Sequence, residues 1–187
     1  MSTLQSLPTS QLTGTYSIDP AHSHVGFSAR HAMVTRVRGS FTDVSGAIHV
    51  DGDNPAASSV EVTIDAASID TRSDDRDAHL RSDDFFAVET YPTIDFASAS
   101  IEPSGTDTYL VTGDLTIRDT SRPVSFELAF SGAATDPFGN ERIGFEGSVE
   151  VNRKDWNLTW NAALETGGVL VSEKVTLEFE ISAVRSH

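Results

Sequence analysis

Asp74, Asp75, Asp77, Asp83 and Asp84 crowd one short charged stretch together with Arg76, His79 and Arg81. Carboxylates at such density could work as a general acid and base, or could bind calcium. The calcium reading lacks the Asp-x-Asp-x-Asp-Gly spacing and its closing Glu. A helix beginning at Asp74 accounts for Asp74, Asp75 and Asp77 without catalysis, because acids in a first turn oppose the positive end of the helix dipole. His22-x-His24, with Asp19 and His31 nearby, offers imidazoles for a metal, but two ligands do not make a site, and hydrogen-bonding roles are the simpler expectation.

Other chemistries are excluded by what the pattern lacks. There is no cysteine, hence no disulfide, no thiolate metal centre and no cysteine nucleophile. Serines and histidines are plentiful, yet no Gly-x-Ser-x-Gly elbow occurs. Leu164 to Val171 carries a glycine pair but no following Lys-Ser or Lys-Thr, so it is not a phosphate loop.

The elements that must position these groups read as β-strand almost throughout. Val25, Phe27 and Ala29 alternate with His24, Gly26, Ser28 and Arg30; Val60, Val62 and Ile64 alternate with Glu61, Thr63 and Asp65. The same period of two runs through Thr93 to Ile101, Thr108 to Ile117, Val124 to Phe130, Ile143 to Val151 and Val175 to Ile181. Thr13 to Ile18 and Val37 to Val50 complete the set, with Gly39 and Gly46 marking bends and His31 to Thr35 forming one helical turn. About eight antiparallel strands on short turns predict a closed barrel, which also removes exposed sheet edges. The exception is Ser68 to Phe96, where Ser73 can cap a short helix over residues 74–82 and Phe85, Phe86 and Tyr91-Pro92 follow. An insertion of this kind is most simply a lid over one end of the barrel.

The chain has 187 residues, enough for one such domain over 13–187, with residues 1–12 expected as a flexible tail. Its 13 basic and 28 acidic residues give a net charge of −15, which disfavours nucleic acid and anionic membrane surfaces as partners. No apolar run approaches the ~18 residues of a membrane span, so stable membrane insertion is not expected. The opening residues MSTLQSLPTSQLTG lack a basic region and an apolar core, and a soluble cytoplasmic protein is the corresponding expectation.

Five pieces in order, IDPAHSHVGFSARH (18–31), VRGSF (37–41), the Ser68 to Phe96 segment with RDAHLRSDDFF and YP, VTGDLTIRDTSRPV (111–124) and VNRKDW (151–156), resemble the YceI-like family of lipocalin-like barrels. The resemblance covers about residues 15–184. It implies an extended eight-stranded antiparallel barrel with a small helical insertion, holding a long-chain amphiphile such as a prenyl quinone or polyprenyl phosphate, with no cofactor beyond such a lipid, and it makes a homodimer plausible. Asp119 and Asn157 stand where the family commonly has glycine, which puts local turn geometry in question.

In such a barrel the expected ligand contacts are Phe27, Phe41, Phe96, Phe126 and Phe145 from the strands, Phe85, Phe86 and Tyr91 after the helix, and Trp156, which with Trp160 shares one strand face at the barrel rim. His31, Arg76 and Asp77 match the family motifs at the mouth. Arg76 would either brace the insertion against the barrel or meet a polar head group. Two other classes stay open: an enzyme acting on such a lipid with His31 or Asp77 as base, and a filled barrel that serves as a protein-interaction module. No metal and no catalytic residue is assigned.

Overall fold

The structure, a computed structural model, describes residues 9–165 and 167–187. Its strands are β1 (Gly14–Ile18), β2 (His24–His31), β3 (Thr35–Phe41), β4 (Val44–Val50), β5 (Ser59–Asp65), β6 (Ile69–Asp70), β7 (Thr93–Gly105), β8 (Thr108–Ile117), β9 (Thr120–Thr135), β10 (Glu141–Asn152) and β11 (Val171–Arg185). One helix, α1 (Asp74–Arg81), lies between β6 and β7. β1 and β2, β3 and β4, and β5 and β6 are each one strand broken in two, so the antiparallel barrel counts eight strands. It closes where β1 pairs with β11 through Tyr16–Arg185, Ser17–Val184 and Ile18–Ala183.

The three breaks line up across neighbouring strands, at Asp19–Ser23, Thr42–Asp43 and Ala66–Ser68. Asp19-Pro20 explains the first: the proline sits at the start of a 3-10 turn and the Asp19 carboxylate accepts the Ala21 N–H. The others are tied to each other, since Ser68 accepts the Thr42 N–H through its carbonyl and the Asp43 N–H through its hydroxyl. Beyond this line β2, β3 and β6 pair with one another in that order. Among the described residues β5 pairs with β7 but β6 pairs only with β3, so the wall parts there and the insertion fills the opening. That end, with the β2–β3 turn and the 153–170 loop, is called the mouth below, and the end at Leu12 the base.

Several local readings change. His31 to Thr35 is a hairpin turn rather than a helical one, with the Val34 N–H donating to His31 and both Ala32 (φ 51°) and Met33 (φ 61°) left-handed. The long strand breaks at Thr42–Asp43, not at its glycines, whose bare Cα positions instead take side chains from across the sheet. β7 runs on through Pro103 to Gly105 because a register shift accommodates the proline. Leu12 is buried at the base and its carbonyl accepts the Tyr16 hydroxyl at 2.9 Å, so the order begins before β1. At the two departures from glycine, Asn157 is left-handed (φ 61°), a conformation asparagine tolerates, whereas in the β8–β9 turn it is Arg118 (φ 58°) that carries the left-handed residue.

At the base, Arg142 holds Asp19 at 2.7 Å and Asp136 at 2.8 Å, joining the β1–β2 break to the turn before β10. The Arg142 hydrogen bond is the main cause that holds the Asp19 carboxyl below its ordinary range, with His22 second. Desolvation alone would raise Asp136; hydrogen bonds from Arg142, Asn140 and Phe138 together outweigh it and hold that carboxyl far below the ordinary range. Carboxyls depressed in the folded state add stability that is complete above their unfolded pKa, about 4, and is lost as pH falls through the folded values. Thermal melts from neutral pH into the acid range are expected to show this decline, and Arg142→Met to lower the melting temperature at neutral pH while flattening the acid slope.

Candidate ligand-binding lumen

An eight-stranded barrel is only just wide enough for its own side chains, so space inside depends on where they lie. Three inward phenylalanines pack their rings over glycines. A methyl group built on Gly39 would meet the Phe27 ring at 2.4 Å, one on Gly113 the Phe96 ring at 2.6 Å, and one on Gly147 the Phe179 ring at 2.6 Å. Phe27–Gly39 and Phe179–Gly147 are directly opposed across strand pairs. The missing side chains let the rings fold against the wall instead of crossing the interior.

The rings form two runs. Phe96, Phe126 and Phe179, from β7, β9 and β11, have centroids 5.6 and 4.9 Å apart. Phe27 and Phe41, from β2 and β3, lie 5.8 Å apart, and Phe86 of the insertion meets Phe41 edge-on at 5.9 Å. All six, with Leu177, face inward yet are only half-buried, whereas Ile18, Val44, Ile64, Ile94 and Leu115 beside them are buried. These rings therefore keep apolar surface that a guest could cover. A separate cavity of about 60 Å³ lies at the base, lined by residues that include Leu12, Ile48, Tyr109, Phe130 and Phe145.

The structure therefore brings Phe27, Phe41 and Phe86 together, and Phe96 with Phe126, but disperses the other expected contacts. Phe145 belongs to the base, 5.5 Å from Phe130. Phe85 is buried outside these runs against His79 and Trp160, at 5.1 and 5.5 Å. Tyr91 lies under the Arg118 guanidinium at 5.5 Å. Trp156 is 2% exposed and donates its indole N–H to the Leu115 carbonyl, which makes it core. It does not share a strand with Trp160, because the chain turns at Asn157 between them. His31 is exposed at the rim.

Arg76 and Asp77 grip Thr71. The buried Asp77 carboxylate accepts the Thr71 N–H and O–H at 2.8 and 2.6 Å, while Arg76 donates Nε to the Thr71 hydroxyl and Nη2 to its carbonyl. Arg81 adds donations to the Ala67 and Ile69 carbonyls. Hydrogen bonds to one polar corner, not an ion pair, thus dock a helix of eight residues that could not stand alone.

Phe179 and Leu177 were within reach of the period-two pattern, but nothing in one sequence reveals that Gly147 lies opposite Phe179. Arg153 carries no comparable signal. It is 5% exposed and donates to the carbonyls of Leu158, Trp160, Val171 and Ser172, at distances from 2.6 to 3.2 Å, pinning the mouth loop to the start of β11. Burial pushes its guanidinium pKa down, partly opposed by Glu173. Arg153→Ala strands these carbonyls and is expected to cost about 3 kcal/mol or more, seen as a lower denaturation midpoint and early proteolysis within residues 153–171. Gly147→Ala is expected to cost about 1–3 kcal/mol by overpacking, and less than the sum of the single changes when combined with Phe179→Leu.

With this geometry in place, the likenesses to known proteins can be weighed. The YceI-like domain model matches residues 16–183. A UPF0312 protein of Photorhabdus laumondii is 40% identical over 150 residues, covering 79% of this chain and 78% of its own. Burkholderia cenocepacia BcnA has a crystal structure of TM-score 0.78 at 26% identity, covering 88% of this chain and 98% of that one. A polyisoprenoid binding domain from Saccharophagus degradans shares the fold, with TM-score 0.71 at 17% identity over 91% of this chain and 98% of its own. The alignment over nearly the whole barrel, and the fold it agrees with, place this chain in the YceI-like domain family.

Proposed function

We propose that the protein binds and carries one long apolar molecule of the polyisoprenoid class, such as a prenyl quinone or polyprenyl phosphate, inside the barrel from the mouth toward the base. The observation that carries the reading is the row of inward, half-buried rings folded onto glycines. A groove walled by flat aromatic faces suits a flexible hydrocarbon chain, which gains by leaving water and needs few directional contacts. The longest strand, β9, has sixteen residues and at ~3.3 Å per residue spans roughly 50 Å. That matches an elongated guest better than a compact one. The Saccharophagus degradans domain named for polyisoprenoid binding is consistent with this reading, though at its level of identity it speaks for the fold alone.

In this reading Phe27, Phe41, Phe86, Phe96 and Phe126 contact the chain, Leu177 and Phe179 join them, and Phe145 meets its tip at the base. The polar head sits at the mouth near His31 and the Arg76 Nη1, which the Thr71 contacts leave uncommitted. Phe85, Tyr91 and Trp156 shape the lid and the wall without touching the guest. The carrier acts without catalysis. Asp77, the strongest candidate base, is buried and occupied with the Thr71 N–H and O–H.

Organic extracts of the purified protein, read by mass spectrometry against a heat-denatured, delipidated control, are expected to contain a prenyl lipid at near-stoichiometric yield. Leu177→Trp narrows the lumen and is expected to fold with an unchanged melting profile while losing that lipid. An empty wild-type extract, combined with no uptake of added prenyl lipid by the delipidated protein, would overturn the carrier reading in favour of a filled interaction module.

A further inference from the structure

Within a net charge of −15 one hairpin face is cationic. Most cationic side chains are engaged among the described residues. Lys154, Lys174, Arg142 and Arg185 sit in ion pairs; Arg76, Arg81, Arg122 and Arg153 donate to hydroxyl or carbonyl oxygens; Arg118 donates to the Phe85 carbonyl and covers Tyr91. Arg30, Arg36, Arg38 and Arg72 form no ion pair among the described residues, and all four are exposed at the mouth. Their one recorded side-chain bond is a long donation from Arg30 to the Val34 carbonyl at 3.4 Å. Nearby acids do not answer them: the Asp70 carboxylate accepts the Arg72 backbone N–H, and Asp74 and Asp75 lie in the first turn of α1.

Three of these arginines share the outer face of one hairpin. Arg30 lies directly opposite Arg36, and Arg38 is two residues along β3 on the same face. Like charges directly opposed across a strand pair are destabilising. The hairpin tip is costly as well. Within the three-residue loop between His31 and Thr35, the β-turn His31–Val34 has both central residues left-handed, positions that Asn and Gly serve best, whereas here Ala32 and Met33 take them, and such residues each give up on the order of 1 kcal/mol. What the turn displays instead is apolar: Met33 is 64% and Val34 73% exposed. Opposed charges, strained backbone and solvated apolar side chains meet on one element, which is the pattern of a surface kept for a partner rather than for stability.

We propose that the β2–β3 hairpin docks the protein on an anionic lipid bilayer. Arg30, Arg36, Arg38 and Arg72 engage lipid phosphates, and Met33 and Val34 enter the interface between head groups and acyl chains. Guanidinium groups beside an apolar tip complement that layered surface, whereas nucleic acid or an acidic protein would leave the tip wet. The inner face of the same hairpin carries Phe27 and Phe41, so docking would set the lipid surface against the entrance of the lumen. This purpose rests on the carrier reading; the docking surface itself does not.

The test is sedimentation of the purified protein with phosphatidylcholine vesicles and with equimolar phosphatidylcholine–phosphatidylglycerol vesicles, with lipid extraction of the same samples. Wild type is expected to pellet with the anionic vesicles alone and to be released by high salt. Each arginine near an anionic surface adds a factor of about five, so changing Arg30, Arg36 and Arg38 together to Gln should weaken binding roughly 100-fold. The paired change Ala32→Asn with Met33→Gly is the sharper control, because it relieves the turn and should raise the melting temperature while reducing vesicle binding. Absence of wild-type protein from the anionic pellet overturns the proposal even if the extract holds a prenyl lipid. Vesicle binding with an empty extract upholds docking and removes the carrier reading. Binding that an oligonucleotide abolishes, and that Met33→Ser with Val34→Ser leaves unchanged, identifies a general polyanion site and overturns the bilayer assignment.

Discussion

The interior of this barrel exists because aromatic rings lie on bare backbone. Eight strands enclose a space that ordinary inward side chains would fill. Phe27, Phe96 and Phe179 fold onto Gly39, Gly113 and Gly147, using the width that a Cβ would have occupied. Each ring packs against the wall at its glycine. The wall there is apolar, and all three rings stay half-buried.

Keeping a hollow barrel intact demands firm ends. At the base, the β1–β11 closure, buried Tyr16 and the Arg142 pairs to Asp19 and Asp136 tie the first strand to the last hairpin. At the mouth the backbone cannot close, because β6 does not reach β7, and side chains replace the lost ladder. Thr71 is held by Arg76 and Asp77, and Arg153 gathers carbonyls from both ends of its loop. A buried guanidinium surrounded by carbonyls rather than a carboxylate is a weak contributor to stability and a strong one to geometry, since several backbone segments must converge for it to be tolerated at all. The mouth is thus shaped by polar contacts and the lumen by apolar ones.

Electrostatics follows the same division. The acidic surplus lies on the strands and on α1 with the residues after it, while three of the four uncommitted arginines gather on the outer face of the hairpin. A net charge taken over the chain therefore misstates what any one face offers a partner. The long-range field of the molecule repels anionic surfaces, but within a Debye length, about 8 Å at physiological salt, the local arginines decide.

The amino-acid sequence by itself determined the strands, their inward faces, the place of α1 and the family, because alternation, capping by Ser73 and ordered motifs are local properties written in consecutive residues. It also put Phe27, Phe41, Phe96 and Phe126 on inward faces, since large apolar residues in phase along a strand face the interior, whereas Phe86, in the insertion, has no such phase. Which rings meet was decided only by the tertiary structure. Phe145 and Phe126 have the same local pattern, yet strand position sends one to the base and the other to the lumen. Trp156 reads as a rim residue until the Leu115 carbonyl claims its indole. The left-handed turn at Ala32–Met33, the pairing of Arg30 with Arg36 and the buried Arg153 depend on register and closure. These bring together residues far apart in the chain, and no local periodicity records them.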